Sequence, residues 1–418
     1  MTGLYYKRDN CRLCGSINVE MAVPLKPMPI ATPNFRVPGA DRDAPVYREG
    51  VPLELYLCRD CGHSQVLHVG NPDVQYGNYV YTTSLSLGLP EHFVEYAKAV
   101  LAVRKPEKDS LIVEFGSNDG TLLRCFKAEG MRVVGIDPAK AIAEAATKSG
   151  IETYNAFFSP DVAETIKNAH GPASVLIANN VIANIDDLDP VASGVKTLMA
   201  PDGMFVLETQ YGADVIRDML LDTVYHEHLS YFNVRPLAAF FERRGMQVID
   251  VEHIWTKGGS IRVTVQHADS PGEVSDAVTK IIAEEDAQGM NGISCYRGFA
   301  GRVAALREKL NALADEQHAA GRTVGGYGIS VGTTTLLAQF GLADKIDFLF
   351  DDDPDKESHL SGPGYDIPVM GPDSVYNKNP GLIVIFAWRY AEPIMAKHGK
   401  YLEQGGKFVI PLPEISVV

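Results

Sequence analysis

The sequence contains no run of about twenty apolar residues, the length a helix needs to cross a bilayer. A membrane role is therefore not expected. Positive charge is scarce as well: 38 Lys and Arg stand against 53 Asp and Glu, leaving a formal net charge of −15. Binding to nucleic acid rests on neutralising phosphates with Lys and Arg, so this balance argues against it, while still allowing a local basic patch for a small anion. Six cysteines in 418 residues are too few for a disulfide scaffold. Four of them fall in two Cys-x-x-Cys pairs, which points to metal in a reducing compartment. The opening Met1–Asn10 is polar and has no apolar leader core; the expected location is the cytoplasm. Low-complexity tracts are missing too, and 45% hydrophobic with 22% charged residues is ordinary globular composition. One hydrophobic core does not serve a chain of this length, so two or three domains are expected.

What is present changes texture along the chain. The first seventy or so residues are interrupted by Pro24, Pro27, Pro29, Pro33 and Pro38, which exclude a long helix there. Leu89, Phe93, Ala97 and Val100 recur at helical spacing and predict a helix over Leu87–Val103. Strand–turn–helix alternation follows. Strands are expected at Leu111–Phe115, Arg132–Ile136, Ser174–Ala178 and Met204–Glu208, with helices at Leu122–Phe126, Ala139–Lys148 and Leu188–Leu198. This alternation builds a parallel sheet, and Val248–Val251 with Ser260–Gln266 reads as an antiparallel pair closing it. After a charged helical stretch to Ala320, a smaller α/β unit begins, with strands near Thr323–Tyr327, Ile346–Phe350, Leu382–Phe386 and Lys407–Ile410.

Three clusters carry chemistry. Cys11-Arg-Leu-Cys14-Gly15 and Cys58-Arg-Asp-Cys61-Gly62 are two matching knuckles. Four thiolates suit tetrahedral zinc, and a closed set of four ligands is structural rather than catalytic; a redox or free-thiol pair is the competing reading. The loop Glu114-Phe-Gly116-Ser117-Asn118-Asp119-Gly120 joins a strand to a helix, and Asp137 ends the next strand, where a ribose could be held. The loop lacks the G-x-G-x-x-G that cradles pyrophosphate. Its Asn118 and Asp119 suit the zwitterionic tail of S-adenosylmethionine better than a phosphate, and Asn179 and Asn180 should face the same cleft, unless they merely cap a helix. In the third cluster, Tyr225-His226-Glu227-His228-Leu-Ser-Tyr231-Phe232, the histidines are two apart, so H-E-x-x-H zinc chemistry does not apply. A general base with an orienting carboxylate is the preferred reading, ahead of structural histidines or a two-ligand metal site. An extended segment would put His226 and His228 on one face.

Taken together, the two C-x-x-C-G pairs, the Glu-Phe-Gly-Ser-Asn-Asp-Gly loop, the Tyr-His-Glu-His-Leu-Ser-Tyr-Phe segment and Gly326-Tyr327-Gly328 resemble the sugar C-methyltransferases that act on nucleotide-linked keto-deoxysugars, over nearly the whole chain. The resemblance implies an α/β chain in three parts: a zinc-binding domain (1–72), a class I S-adenosylmethionine methyltransferase core (73–268) and a Rossmann-like C-terminal domain with a helical linker (269–418). It implies His228 as the base, Tyr225 and Glu227 beside it, and Tyr79 of the Tyr76-Gly-Asn-Tyr79-Val-Tyr81 run lining the site. It also implies a nucleotide-linked sugar as substrate, with a monomer or small homo-oligomer as the assembly. The chain departs from that pattern twice, with Asn184 where the family carries His and Val331 where it carries Lys; both bear on the substrate and on which carbon is methylated. Without a lysine at 331, the helix near Thr333 would have to offer backbone N–H groups to a pyrophosphate. Competing functions are an O-methyltransferase on the same scaffold, an NAD enzyme using Gly326-Tyr-Gly328 with Asp351, and a zinc-ribbon interaction protein.

Overall fold

The computed structural model describes residues 5–30, 35–36, 50–72, 83, 88–270, 272–362 and 364–418. The cysteine-bearing region contains the short strands β1 (Tyr5–Lys7), β2 (Val19–Val23), β3 (Phe35–Arg36), β4 (Leu55–Cys58), β5 (Ser64–Val66) and β6 (His68–Gly70). Strands β2, β4 and β5 pair antiparallel, and β1 pairs with β6. One knuckle precedes β2; the other forms the turn between β4 and β5.

A helix at Leu89–Arg104 buries Phe93, Tyr96, Ala97 and Val100 on one stripe. The core sheet then runs through β7 (Leu111–Phe115), β8 (Arg132–Ile136), β9 (Thr153–Tyr154), β10 (Ala173–Asn179) and β11 (Met199–Gln210), all parallel. Every residue of β7 and β10 is buried, as a parallel strand with helices over both faces demands. The chain winds out from β7 to β9, then returns to place β10 on the other side of β7. That reversal opens a crevice at the carboxyl ends of β7 and β10, where open α/β sheets bind ligands.

The next strand, β12 (Ser230–Tyr231), leaves this sheet altogether. It pairs antiparallel with β5 and completes the N-terminal sheet, whose order is β12-β5-β4-β2. Strands β13 (Met246–Ile254) and β14 (Ser260–His267) return to the core, with β14 antiparallel between β11 and β13. The seven-stranded order is β13-β14-β11-β10-β7-β8-β9. The expected closing pair is thus present.

The charged stretch becomes two helices, Asp276–Ala287 and Ile293–Ala319. The second packs on β2 and on a later helix, Val331–Phe340, and so ties the N-terminal sheet to the last unit. That unit holds β15 (Val324–Tyr327), β16 (Phe348–Phe350), β17 (Leu360–Ser361), β18 (Val369–Met370), β19 (Leu382–Ile385), β20 (Phe408–Ile410) and β21 (Ser416–Val417). Its sheet order is β18-β16-β15-β19-β20-β21, parallel except for β21, and β17 pairs with β3. It is doubly wound, as the alternation predicts. Among the described residues no helix is long and apolar enough to cross a membrane.

Candidate active site

The four knuckle sulfurs lie within 4.8 Å of one another, with Cys11 and Cys61 Sγ 3.6 Å apart and Cys14 and Cys58 Sγ 3.5 Å apart. A disulfide would need about 2 Å, whereas a tetrahedron with zinc–sulfur arms of about 2.3 Å has edges near 3.8 Å. The geometry fits zinc and excludes the oxidised pair. Gly15 and Gly62 both have positive φ, +76° and +79°, which lets each turn fold back so that their N–H groups reach the carbonyls of Cys11 and Cys58.

At the crevice of the core sheet, Gly116, Ser117, Asn118, Asp137, Asn179 and Asn180 line one cleft together with Glu114, Asn184 and Lys257. Gly116 has φ +71°, and a Cβ there would sit 3.0 Å from Val181, so only glycine keeps the loop this close to the next strand end. Asn118 (φ +49°) and Asn180 (φ +55°) occupy the left-handed region that asparagine tolerates better than most residues. Asp137 accepts from the N–H of Asn118 and of Ala139, each at 2.9 Å. Burial raises its pKa, and these two bonds oppose that rise. Asn179 Oδ1 accepts from the Glu208 N–H and from Tyr96 Oη, so it caps no helix, and its Nδ2 has no partner among the described residues.

Among the described residues, four buried polar atoms of cleft-lining side chains find no hydrogen bond: Glu114 Oε2, Ser117 Oγ, Asn179 Nδ2 and Asn184 Oδ1. Unpaired buried groups cost about 1–3 kcal/mol each; Ser117 Oγ lies against Gly135 and Thr153, while Glu114, Asn179 and Asn184 border one space with donors and acceptors both represented. A zwitterion with ribose hydroxyls satisfies such a set; S-adenosylmethionine fits. Glu114 is the residue that the motif contained and the reading of its spacing passed over. Burial, with Asp137 and Asp119 nearby, drives its pKa well above the carboxylate range. Its place in the last turn of an apolar strand was the available signal. Asp119 is the exception among the expected ligands: its Oδ1 accepts from Thr121 N and Oγ1 at the start of the helix Thr121–Ala128, and it is not on the lining.

The Tyr225–His228 segment is a turn, with His228 N–H bonded to the Tyr225 carbonyl at 3.0 Å. The extended arrangement does not occur, and the two histidines part company. His226 Nε2 donates to the carbonyls of Val51 and Pro52, a structural contact to the N-terminal region. His228 Nδ1 donates to the Thr223 carbonyl at 2.8 Å, so its Nε2 carries the lone pair and accepts from Tyr225 Oη at 3.0 Å. The orienting acceptor is therefore Thr223, not the buried Glu227. Burial lowers the His228 pKa to about 4, helped by the charge of Lys257. Three parts of the chain pin this segment. Val66 N–H donates to the Leu229 carbonyl, Leu229 N–H to the Ala183 carbonyl and Thr335 Oγ1 to the Val224 carbonyl. Tyr79 lies outside the described residues.

In the last unit Asp351 accepts from the N–H groups of Ile329 and Asp353, much as Asp137 does from its own loop, but it is also paired with the Lys356 ammonium, which disfavours the dinucleotide reading. The helix Val331–Phe340 is capped by Ser330, whose side chain takes the Thr333 N–H. Its first turn also abuts Asp222, since a Cβ at Gly332 would lie 2.7 Å from the Asp222 carbonyl; of the amides expected to face a phosphate, those of Thr333 and Thr334 are taken by Ser330.

A cleft of orphaned polar atoms at the switch point of a seven-stranded sheet with its last strand inserted antiparallel defines a class I S-adenosylmethionine-dependent methyltransferase. The comparisons agree. A zinc-binding domain family matches residues 11–76, a methyltransferase domain family residues 91–251, and the C-methyltransferase C-terminal domain family residues 255–413. C-methyltransferase NovU of Streptomyces niveus is 35% identical over 411 residues, covering 98% of this chain and 97% of that protein. The chain belongs to this family of C-methyltransferases. Among solved structures, an S-adenosylmethionine-dependent methyltransferase from Clostridium acetobutylicum is 8% identical over 42% of this chain and 91% of its own, with a TM-score of 0.34. Magnesium protoporphyrin IX methyltransferase from Synechocystis is 14% identical over 42% and 82%, with a TM-score of 0.32.

Proposed function

We propose that the enzyme methylates a nucleotide-linked keto-deoxysugar at the carbon beside its ketone, with His228 as the base. A carbon becomes nucleophilic there only after losing a proton made acidic by the ketone, so the site needs a neutral base in the dark between its domains. The hydrogen bond from His228 Nδ1 to the Thr223 carbonyl carries this reading, because it leaves the Nε2 lone pair as the proton acceptor. Tyr225 shields that lone pair at rest and can turn its hydroxyl to the ketone once substrate enters. Glu227 remains a buried neighbour without the orienting task. Tyr79 belongs to the proposal through the family resemblance. The bound cofactor supplies an electrophilic methyl group; the residues that would hold it are Glu114, Gly116, Ser117, Asn118, Asp137, Asn179 and Asn180.

The nucleotide part of the substrate is supported by a second cleft, between the core and the C-terminal unit. Arg217, Arg302, Arg389 and Trp388 line it, with Asp218 and Glu414 as the opposing charges. Arg217 and Arg389 are paired with carboxylates, but among the described residues Arg302 bonds to the carbonyls of Ile216 and Arg217 and to no carboxylate. Among the described residues Trp388 Nε1 is buried without a partner; the Arg389 guanidinium covers one face of the ring at 4.4 Å, and the other face could take a base. A diphosphate and a nucleobase are what such a wall would recognise.

The test is His228→Asn with a thymidine diphosphate-linked keto-deoxysugar and S-adenosylmethionine, the product being assigned by NMR. Turnover should fall about 10²–10⁴-fold with cofactor affinity unchanged, since only a transition-state role is lost. Near-normal turnover would remove the base assignment, and an O-methyl product would remove carbon methylation.

A further inference from the structure

We propose that Lys257 is a catalytic residue whose ammonium binds the ketone oxygen of the substrate and holds the negative charge that gathers there. The inference rests on the carbon-methylation reading.

Lys257 sits in the turn between β13 and β14, where Lys257, Gly258 and Gly259 have φ of +56°, +89° and +148° in succession. A lysine in the left-handed region costs about 1 kcal/mol or more, so the surroundings must hold it there. They do so from several sides. Thr256 Oγ1 donates to Glu208 at 3.2 Å, and the buried Asp214, bonded to His253 and Arg217, packs where a Cβ of Gly259 would stand. A Cβ at Gly258 would meet Arg389 Nε at 2.7 Å. The turn is clamped, and its one long side chain is Lys257.

Its location is the second observation. Lys257 lines the cofactor cleft, while the next residue, Gly258, lines the arginine-bearing cleft. The turn is thus the partition at which a methyl donor and a sugar nucleotide would meet. Among the described residues the Lys257 ammonium has no hydrogen-bond or ion-pair partner. The nearby acid, Glu208, is already engaged by His92 at 2.9 Å and Arg262 at 3.1 Å. The charge of Lys257 also disfavours the imidazolium of His228. The residue is exposed, and the protein around the turn lowers its pKa.

The chemistry balances without further reagents. The C–H proton moves to His228 Nε2, its electron pair becomes the C=C bond, and the carbonyl π pair moves onto oxygen. There it is met by an N–H of Lys257, which donates a hydrogen bond and keeps its proton. Fixed donors aimed at a developing oxyanion are worth about 10²–10³ in rate.

The experiment follows solvent exchange rather than methyl transfer. Full-length enzyme saturated with S-adenosylhomocysteine is placed in D2O with thymidine diphosphate-linked 3-keto- and 4-keto-6-deoxysugars, and deuterium entry beside the ketone is read by NMR. Lys257→Met should lose exchange about 100-fold while binding S-adenosylhomocysteine normally in calorimetry, which also reports that it is folded. Lys257→Arg should keep a measurable part. Exchange at the wild-type rate in Lys257→Met would overturn the proposal. So would a loss of S-adenosylhomocysteine affinity with that for 5′-methylthioadenosine intact, which would make Lys257 a ligand of the cofactor carboxylate. Wild-type enzyme that shows no exchange and yields an O-methyl product would instead overturn the carbon-methylation reading, and this inference with it.

Discussion

Glu114 shows how a single buried group connects fold to cofactor. Its carboxyl is buried, without a partner at Oε2 among the described residues, and held well above its ordinary pKa. A bound ammonium or sulfonium would favour the ionised form. Cofactor binding near neutral pH should therefore release a proton, and the calorimetric enthalpy should differ between phosphate and Tris buffers by the difference in their ionisation heats. Glu114→Gln should erase that dependence. An enthalpy identical in both buffers for the wild type would show that Glu114 does not titrate on binding. The same scale separates the two histidines of the segment. They are alike in sequence and two residues apart, but one holds backbone carbonyls of the N-terminal region and the other holds a lone pair towards Tyr225.

Among elements, β12 has the largest consequence for its length. Two residues after His228 the chain crosses into the N-terminal sheet, where Ser230 and Tyr231 pair with Gln65 and Ser64 on β5. The second knuckle, Cys58 to Cys61, forms the turn leading into β5. Zinc should therefore support the base from a distance. One equivalent per chain is expected, and Cys58→Ser should lose it, unfold at lower temperature and turn over more slowly. It should still bind S-adenosylhomocysteine, because the cofactor cleft is built from core strands. A zinc-free Cys58→Ser enzyme with normal turnover would disprove the link. The helix Val331–Phe340 offers a second check. A methyl group at Gly332 would press on the Asp222 carbonyl, a clash of about 1–3 kcal/mol. Gly332→Ala should thus displace the segment that carries His228, lowering kcat with cofactor affinity unaffected. Unchanged kcat would mean that this contact is not needed.

For the whole molecule, acid is the informative stress. His226 and His228 have folded pKa values near 4, lowered from 6.5 by burial. The unfolded chain takes up those protons near pH 6.5 and the folded one only near pH 4. Stability is therefore lost as pH falls through this window and is fully present above it. A shift of this size corresponds to at most about 3 kcal/mol per group. His226 is fully buried and His228 is only half-buried, so the larger share falls to His226. Urea unfolding between pH 4.5 and 7.5 should show a slope that is shallower in His226→Asn than in the wild type. Equal slopes would refute the assignment.

By itself the sequence determined whatever depends on local periodicity or on short spacing. The runs at Leu111–Phe115 and Arg132–Ile136 became strands with those bounds, since a strand buried on both faces, as the first is throughout and the second is over Val134–Ile136, has little freedom in composition. The cysteine knuckles and the Gly116–Asn118 loop were legible because a metal tetrahedron and a strand-to-helix turn each need specific residues a few positions apart. Other features were settled only in three dimensions. Asp119 Oδ1 caps the start of its own helix through Thr121 N and Oγ1. Thr223 displaced Glu227 as the orienting acceptor because the segment folds as a turn. Lys257 reached the cleft through a hairpin nearly 80 residues from Asn179. Contacts of that kind belong to no local pattern: they exist only where β12 crosses between sheets and the C-terminal helix closes on Asp222, and the tertiary structure alone decides which groups stand within a hydrogen bond of one another.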